Sequence, residues 1–279
     1  MTCFMSLQQY TRDKSMKLLV QGDDFGFTRG VTLGIVDSID RGILRNTGLF
    51  ANMPAAEFAV SFMKDRPQAC FGIDFNLVAG KPVCKEEVPH LVDENGYFIK
   101  SGVRMRNALW ATEEGRRQLF PKEEVVKEIR AQYERFIALS GNKPGYLHAH
   151  SIMPEPYLEA IHELSEETGI PFSMELWKKQ ALFSPKMSSP VSKTKVFEPH
   201  AQLDKDTTQQ IVDGFEDMLQ HEKCVICCHP GYLDAELLDM TSLSIERVRD
   251  AQAYMSDVVN NWVKDNHIEL ITYRNLKED

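Results

Sequence analysis

Two adjacent carboxylates, Asp23 and Asp24, follow a short apolar run, Lys17-Leu-Leu-Val-Gln21. Such a pair is costly in a folded interior unless positive charge lies against it. A divalent cation supplies that charge, with one carboxylate binding it and the other left free as a general base. The competing explanation is helix capping, in which the free N–H groups of a following helix take the acidic side chains. Asp74, within Phe71-Gly-Ile-Asp-Phe-Asn76, reads either as a further oxygen ligand or as a buried Asp tied to backbone amides. Leu147-His-Ala-His150 places two imidazoles two residues apart, which in a strand means one face. One of them fits a metal ligand and the other a supporting partner. His229 ends a Cys-rich run and is followed by Pro230-Gly231. An ordinary pKa of about 6.5 suits a histidine to protonating a leaving amine near neutral pH.

These groups need a scaffold that gathers them. Short apolar runs at residues 17–21, 47–52, 71–76, 144–150, 170–175, 195–198, 224–229 and 267–273 predict strands. Helical patterns at 29–41, 55–64, 122–139, 154–168, 207–220 and 245–261 alternate with them. Apolar strands alternating with helices predict a parallel sheet covered on both faces. Seven or eight such units in 279 residues favour an α/β fold built as one TIM-like β/α barrel domain, regular or distorted, spanning 1–279. Barrel enzymes carry their chemistry at the C-terminal ends of the strands, which is where the carboxylates and imidazoles fall. Residues 1–16 read as a lead-in. Residues 80–121 have mixed polarity and little period, and read as a surface excursion, a candidate lid or substrate loop. Its Tyr97, Phe98 and Trp110, and Trp177 on another loop, are candidates for stacking on a sugar or for plain packing against the rim.

Composition removes several classes. The net charge is −9 with dispersed Lys and Arg, which opposes a nucleic-acid partner. No run approaches the ~20 apolar residues that span a bilayer, and no apolar leader precedes Lys17, so the expected location is the cytoplasm, away from membranes. Of the six cysteines, Cys224, Cys227 and Cys228 sit in one apolar run and read as reduced, packed thiols. Cys224 and Cys227, three apart in a strand, point to opposite faces and cannot grip one metal together. The acidic run from Glu163 to Glu167 reads as a solvated helix face. No glycine-rich phosphate loop is present.

Taken in order, Asp23-Asp-Phe-Gly26, Gly42-Ile-Leu-Arg-Asn-Thr-Gly48, Phe71-Gly-Ile-Asp-Phe-Asn-Leu77, Gly80-Lys-Pro82, Pro144-Gly-Tyr-Leu-His-Ala-His150 and Cys228-His-Pro-Gly231 resemble the YdjC-like family, which includes ChbG-type chitooligosaccharide deacetylases. The resemblance implies a β/α barrel that hydrolyses N-acetyl groups of amino-sugar oligosaccharides with a divalent metal. Mg²⁺ is the first expectation and Mn²⁺ or Zn²⁺ the others. By motif position it makes Asp23 the base, His229 the acid, and Asp24 and His150 metal ligands. The family usually has His where Asp74 stands and Asp where His148 stands. We read this as a reciprocal exchange between touching positions, with Asp74 the third ligand and His148 supplying the displaced imidazole, as a supporting group or as a ligand itself. The histidines that follow in the family are here Ser151, Ile152 and Met153. The expected partner is a small oligosaccharide, and a homodimer is allowed. The other readings are a metal phosphoesterase, for which Arg29, Arg45 and Lys81 are scattered phosphate candidates, and a catalytically degenerate carbohydrate-binding protein.

Overall fold

The computed structural model describes residues 15–85, 87–187 and 199–276. The predicted strand at 195–198 and most of the lead-in lie outside them. The strands are β1 (Lys17–Phe25), β2 (Asn46–Leu49), β3 (Cys70–Phe75), β4 (Leu147–Ala149), β5 (Lys223–Cys228) and β6 (Glu269–Ile271). The helices are α1 (Arg29–Arg41), α2 (Ala56–Val60), α3 (Ser101–Arg106), α4 (Glu113–Leu119), α5 (Lys122–Ser140), α6 (Glu155–Thr168), α7 (Ser173–Lys179), α8 (Thr207–Asp213), α9 (Phe215–Met218), α10 (Ala235–Met240), α11 (Glu246–Met255) and α12 (Asp257–Asp265).

Six parallel strands form one sheet in the order β4-β3-β2-β1-β5, with β6 also on β1. On one side β1 pairs with β5 from Lys17 to Gly22. On the other it pairs first with β6, from Lys17 to Leu19, and then with β2, from Gln21 to Phe25. Between β4 and β5 the described residues offer only the isolated bridges Leu147↔Phe172 and Phe183↔Cys224. Among the described residues the result is a distorted barrel that does not close. The expected strand at 170–175 is reduced to the Phe172 bridge because α7 begins at Ser173.

Alternation along the strands sorts the side chains. Leu18 and Val20 pack outward with Val31, Ile35 and Tyr254 in the main helix–sheet core. Leu19, Cys70, Tyr146, Val225, Ile271 and Tyr273 form a smaller cluster within the curve of the sheet. The inward series on β1 continues from Leu19 to Gln21 and Asp23, so an apolar plug gives way to polar groups at the C-terminal mouth.

Two predicted helices are broken. Gly214 separates α8 from α9. Ser256, in extended backbone, ends α11 and caps α12 through its side chain, which accepts from the Val259 N–H. The excursion is more structured than its sequence suggests. It carries α3 and α4, and Arg104 is buried there, with Nη1 and Nη2 donating to the carbonyls of Leu119 and His90. The acidic face of α6 is not merely solvated. Arg116 pairs with Glu155, Arg117 and Lys122 with Glu159, Lys122 with Glu163, and Arg130 with Glu167, tying the excursion and α5 to α6. No helix among the described residues is long and apolar enough to cross a membrane.

Candidate active site

The acidic pair does not cap a helix. Thr28 caps α1, its hydroxyl accepting from the Val31 N–H at 3.2 Å. Instead β1 runs on through both carboxylates with its register shifted between Gly22 and Phe25. Asp24 takes a left-handed conformation, φ +74°, one that costs a side-chain-bearing residue energy and persists where the surroundings impose it. Its N–H donates to Asp74 Oδ2 at 2.9 Å, which ties the strained turn to β3.

The two aspartates do different things. Asp23 is buried in the mouth. Gln21 Nε2 donates to its Oδ1 at 2.6 Å and the Cys227 thiol to its Oδ2 at 3.2 Å. His148 Nε2 stands 3.7 Å and His229 Nε2 3.9 Å from that same Oδ2. Asp24 is fully buried against positive charge, with Arg247 Nη2 donating to Oδ2 at 2.6 Å and His150 Nδ1 3.0 Å from Oδ1. Burial pushes its carboxyl upward, but the charges of His150 and Arg247 overcome this and hold it far below the usual carboxylate range. Asp74 is the opposite case. Burial, with Asp23 beside it, raises its carboxyl well above the ordinary value. Burial likewise lowers the His148 imidazole, against the opposing pull of Asp23.

Asp74 and His148 are register partners on β3 and β4, which places the two exchanged positions side by side. The ligand atoms of Asp23, Asp74 and His148 all lie within 4.8 Å of one another, and all three residues are buried. This grouping differs from the expected Asp24, Asp74 and His150. Asp74 is common to both, but Asp24 and His150 pair with each other, and Arg247 holds the second oxygen of Asp24. Asp74 Oδ1 is buried and receives no hydrogen bond. A buried carboxylate oxygen without a donor is what a divalent cation satisfies, so the residues present fit such an ion.

Space for Asp74 comes from β2. A Cβ on Gly48 would lie 1.7 Å from Asp74 Oδ1, a clash that only displacement of the carboxylate relieves. Gly48→Ala is therefore expected to weaken divalent-cation binding at least tenfold, the scale on which disturbing the support of a ligand acts. Calorimetric titration of the folded variant checks this, and an unchanged affinity would place the cation elsewhere.

His229 leaves β5 on the turn through Pro230 and Gly231. Its N–H donates to Asp250 Oδ2 on α11 at 3.0 Å, and Lys205 Nζ and the Thr207 hydroxyl secure the other oxygen of Asp250 at 2.7 and 2.5 Å. His150, His229, Phe27 and Arg247 line a cavity of about 540 Å³ that also meets Lys100 and Val103 of the excursion.

Sequence reasoning missed Arg247, Gln21, Cys227 and Asp250. The signal for α11 was available: Glu246, Arg247, Asp250 and Tyr254 recur at helical spacing on one buried face. Trp177 is half-buried, tilted against His148 at a ring separation of 5.7 Å, and it donates to the Tyr273 hydroxyl at 2.8 Å. Trp110 packs edge-on against Phe120, and Phe98 is core. The scattered cations are committed elsewhere. Arg29 lies over Phe58 at 3.9 Å, Lys81 over Tyr97 at 4.5 Å, and Arg45 Nη1 donates to the Leu44 and Gly42 carbonyls at 2.7 and 3.0 Å.

The α/β fold with its six-stranded parallel sheet is also seen in solved structures. A crystal structure of an Enterococcus faecalis V583 protein superposes with a TM-score of 0.71 at 23% identity, covering 95% of this chain and 100% of that one. A peptidoglycan N-acetylglucosamine deacetylase shares the fold more distantly, with a TM-score of 0.50 at 12% identity over 95% of this chain and 88% of its own. The model of the YdjC-like protein family matches residues 17–265, and the chain belongs to that family. Carbohydrate deacetylase 2 of Listeria innocua is 31% identical over 264 residues, 94% of this chain and 99% of the relative. The carbohydrate deacetylase of Clostridium beijerinckii is 29% identical over 265 residues, 94% and 100% of the two chains.

Proposed function

We propose that this protein is a metal-dependent carbohydrate deacetylase that hydrolyses the N-acetyl amide of an amino-sugar oligosaccharide and releases acetate. The observation that carries the reading is the convergence of Asp23, Asp74 and His148, with His229 facing Asp23, at one mouth of the fold. The names of the full-length relatives support the substrate class.

Asp74, His148 and Asp23 would hold the cation. Two carboxylates and one imidazole make a hard donor set that favours Mg²⁺ or Mn²⁺ over Zn²⁺. When bound, the cation supplies positive charge beside the acetyl carbonyl and makes a water easier to deprotonate. Asp23 is the member of this trio that also faces His229, and beside its place at the cation we assign it the proton of the attacking water. His229, 35% exposed at its side chain and on the cavity wall, donates a proton to the departing amine. The hydrogen bond from its backbone to Asp250 fixes its place without occupying the ring. Asp24 is held too strongly as an anion by its cationic neighbours to serve as a base.

Acetate release from chitobiose and longer N-acetylated oligosaccharides tests this directly. Release should vanish with chelator and return with Mg²⁺ or Mn²⁺. Oligosaccharide binding without acetate release, at any metal concentration, would sink the proposal.

A further inference from the structure

Arg247 is 2% exposed, among the largest fully buried side chains described. Nη2 donates to Asp24 Oδ2 at 2.6 Å, Nε donates to the Leu243 carbonyl at 2.9 Å, and the guanidinium lies 5.5 Å from the centre of the Phe27 ring. Nη1 is buried and donates to nothing. A guanidinium cannot shed its charge to escape this position, and a buried donor without an acceptor costs about 1–3 kcal/mol. Such an atom, held on both sides by fixed partners, is a pre-organised donor waiting for an oxygen. Arg247 shares its cavity with His150 and His229, the latter being the proposed proton donor to the leaving group.

We infer that Arg247 is a substrate-binding residue whose Nη1 donates to the acyl oxygen, first as the acetyl carbonyl and after cleavage as the acetate carboxylate. This rests on the deacetylase reading above. A guanidinium recognises a planar carbonyl or carboxylate better than a rotating hydroxyl does. The acyl oxygen is also where negative charge grows during amide hydrolysis, so a fixed donor there helps most at the top of the barrier. Asp24 then acts as the anchor that aims the guanidinium, which gives the buried acidic neighbour of Asp23 a task other than holding the cation.

Arg247→Lys separates these roles, because lysine keeps the charge near Asp24 but lacks the second nitrogen of the fork. Product inhibition by acetate should weaken at least tenfold, and kcat/KM should fall about 10²–10³-fold, the usual loss for one donor to a developing oxyanion. Calorimetric affinity for Mg²⁺ or Mn²⁺ should stay at the wild-type value. Acetate inhibition and kcat/KM both within twofold of wild type would overturn the inference while leaving the deacetylase reading intact. If the lysine variant does not fold, acetate titrated into the wild-type protein decides, since the absence of saturable binding also overturns it. A wild-type protein that releases no acetate from any N-acetylated sugar removes the underlying reading instead.

Discussion

Asp74→Asn is expected to abolish divalent-cation binding and to lower acetate release to the level that chelator leaves in the wild type, a loss of more than about 10³-fold given that a single oxyanion donor alone is worth 10²–10³. Asn keeps the shape of the side chain and an oxygen for the Asp24 N–H, now bonded to Oδ2. It removes the negative charge that the carboxylate would offer a cation, at an Oδ1 that receives no hydrogen bond. Burial already drives the Asp74 carboxyl toward its neutral form, so the neutral substitute should cost little stability. A folded variant with unchanged Tm and no calorimetric signal for Mg²⁺ or Mn²⁺ is the expected result. Retained cation affinity would refute Asp74 as a ligand in either grouping.

Asp24→Asn should behave in the opposite way. It leaves Arg247 buried without its anion, and breaking a buried pair by removing one partner costs about 3–5 kcal/mol. At roughly 2–4 °C per kcal/mol for a chain of this size, the melting temperature should fall by roughly 6–20 °C. The pH dependence follows from the direction of the shift. A carboxyl held below its ordinary value of 3.8 contributes stability that is complete above that value and is lost only as pH falls through the depressed one. The deficit of the variant should therefore be constant from about pH 5 upward and shrink in strong acid. A deficit under 1 kcal/mol would show that the pair is not a structural anchor. Cation titration on the same variant also decides between the two groupings, since retained affinity favours Asp23, Asp74 and His148, and lost affinity favours Asp24, Asp74 and His150.

The architecture was readable because strand and helix periods differ and because the strand-end motifs coincide with loss of apolar pattern. The boundaries of α1 at Arg29 and Arg41 follow directly from Thr28 and Gly42. The break at Ser256 was hidden because Tyr254, Val259 and Trp262 continue an apolar pattern across it, and the capping hydroxyl carries a weaker signal than a proline would. The helices of the excursion were hidden because their packing relies on Arg104 and interhelical ion pairs rather than an apolar stripe. At the site, the residue types were legible but their division of labour was not. Which oxygen of Asp23 or Asp24 faces which neighbour depends on the left-handed turn at Asp24 and the register shift in β1, neither of which has a sequence signature when the residue is not glycine. The helical spacing of Glu246, Arg247, Asp250 and Tyr254 marks one face of α11 but not its burial, because an arginine on a helix ordinarily faces water, and only the packing of α11 on α1 and α8, with Arg247 and Tyr254 reaching β1, buries it.

From Lys17 to Gly22 β1 pairs with β5 on one side and with β6 and then β2 on the other, so the stretch that leads into the acidic pair lies inside the sheet. Its release requires separating the middle of the sheet, and such strands open only with the whole molecule rather than by local fluctuation. The excursion that meets the same cavity is held differently, by Leu91, Phe98 and Phe120 in the core and by the ion pairs of Arg116 and Arg117 to α6.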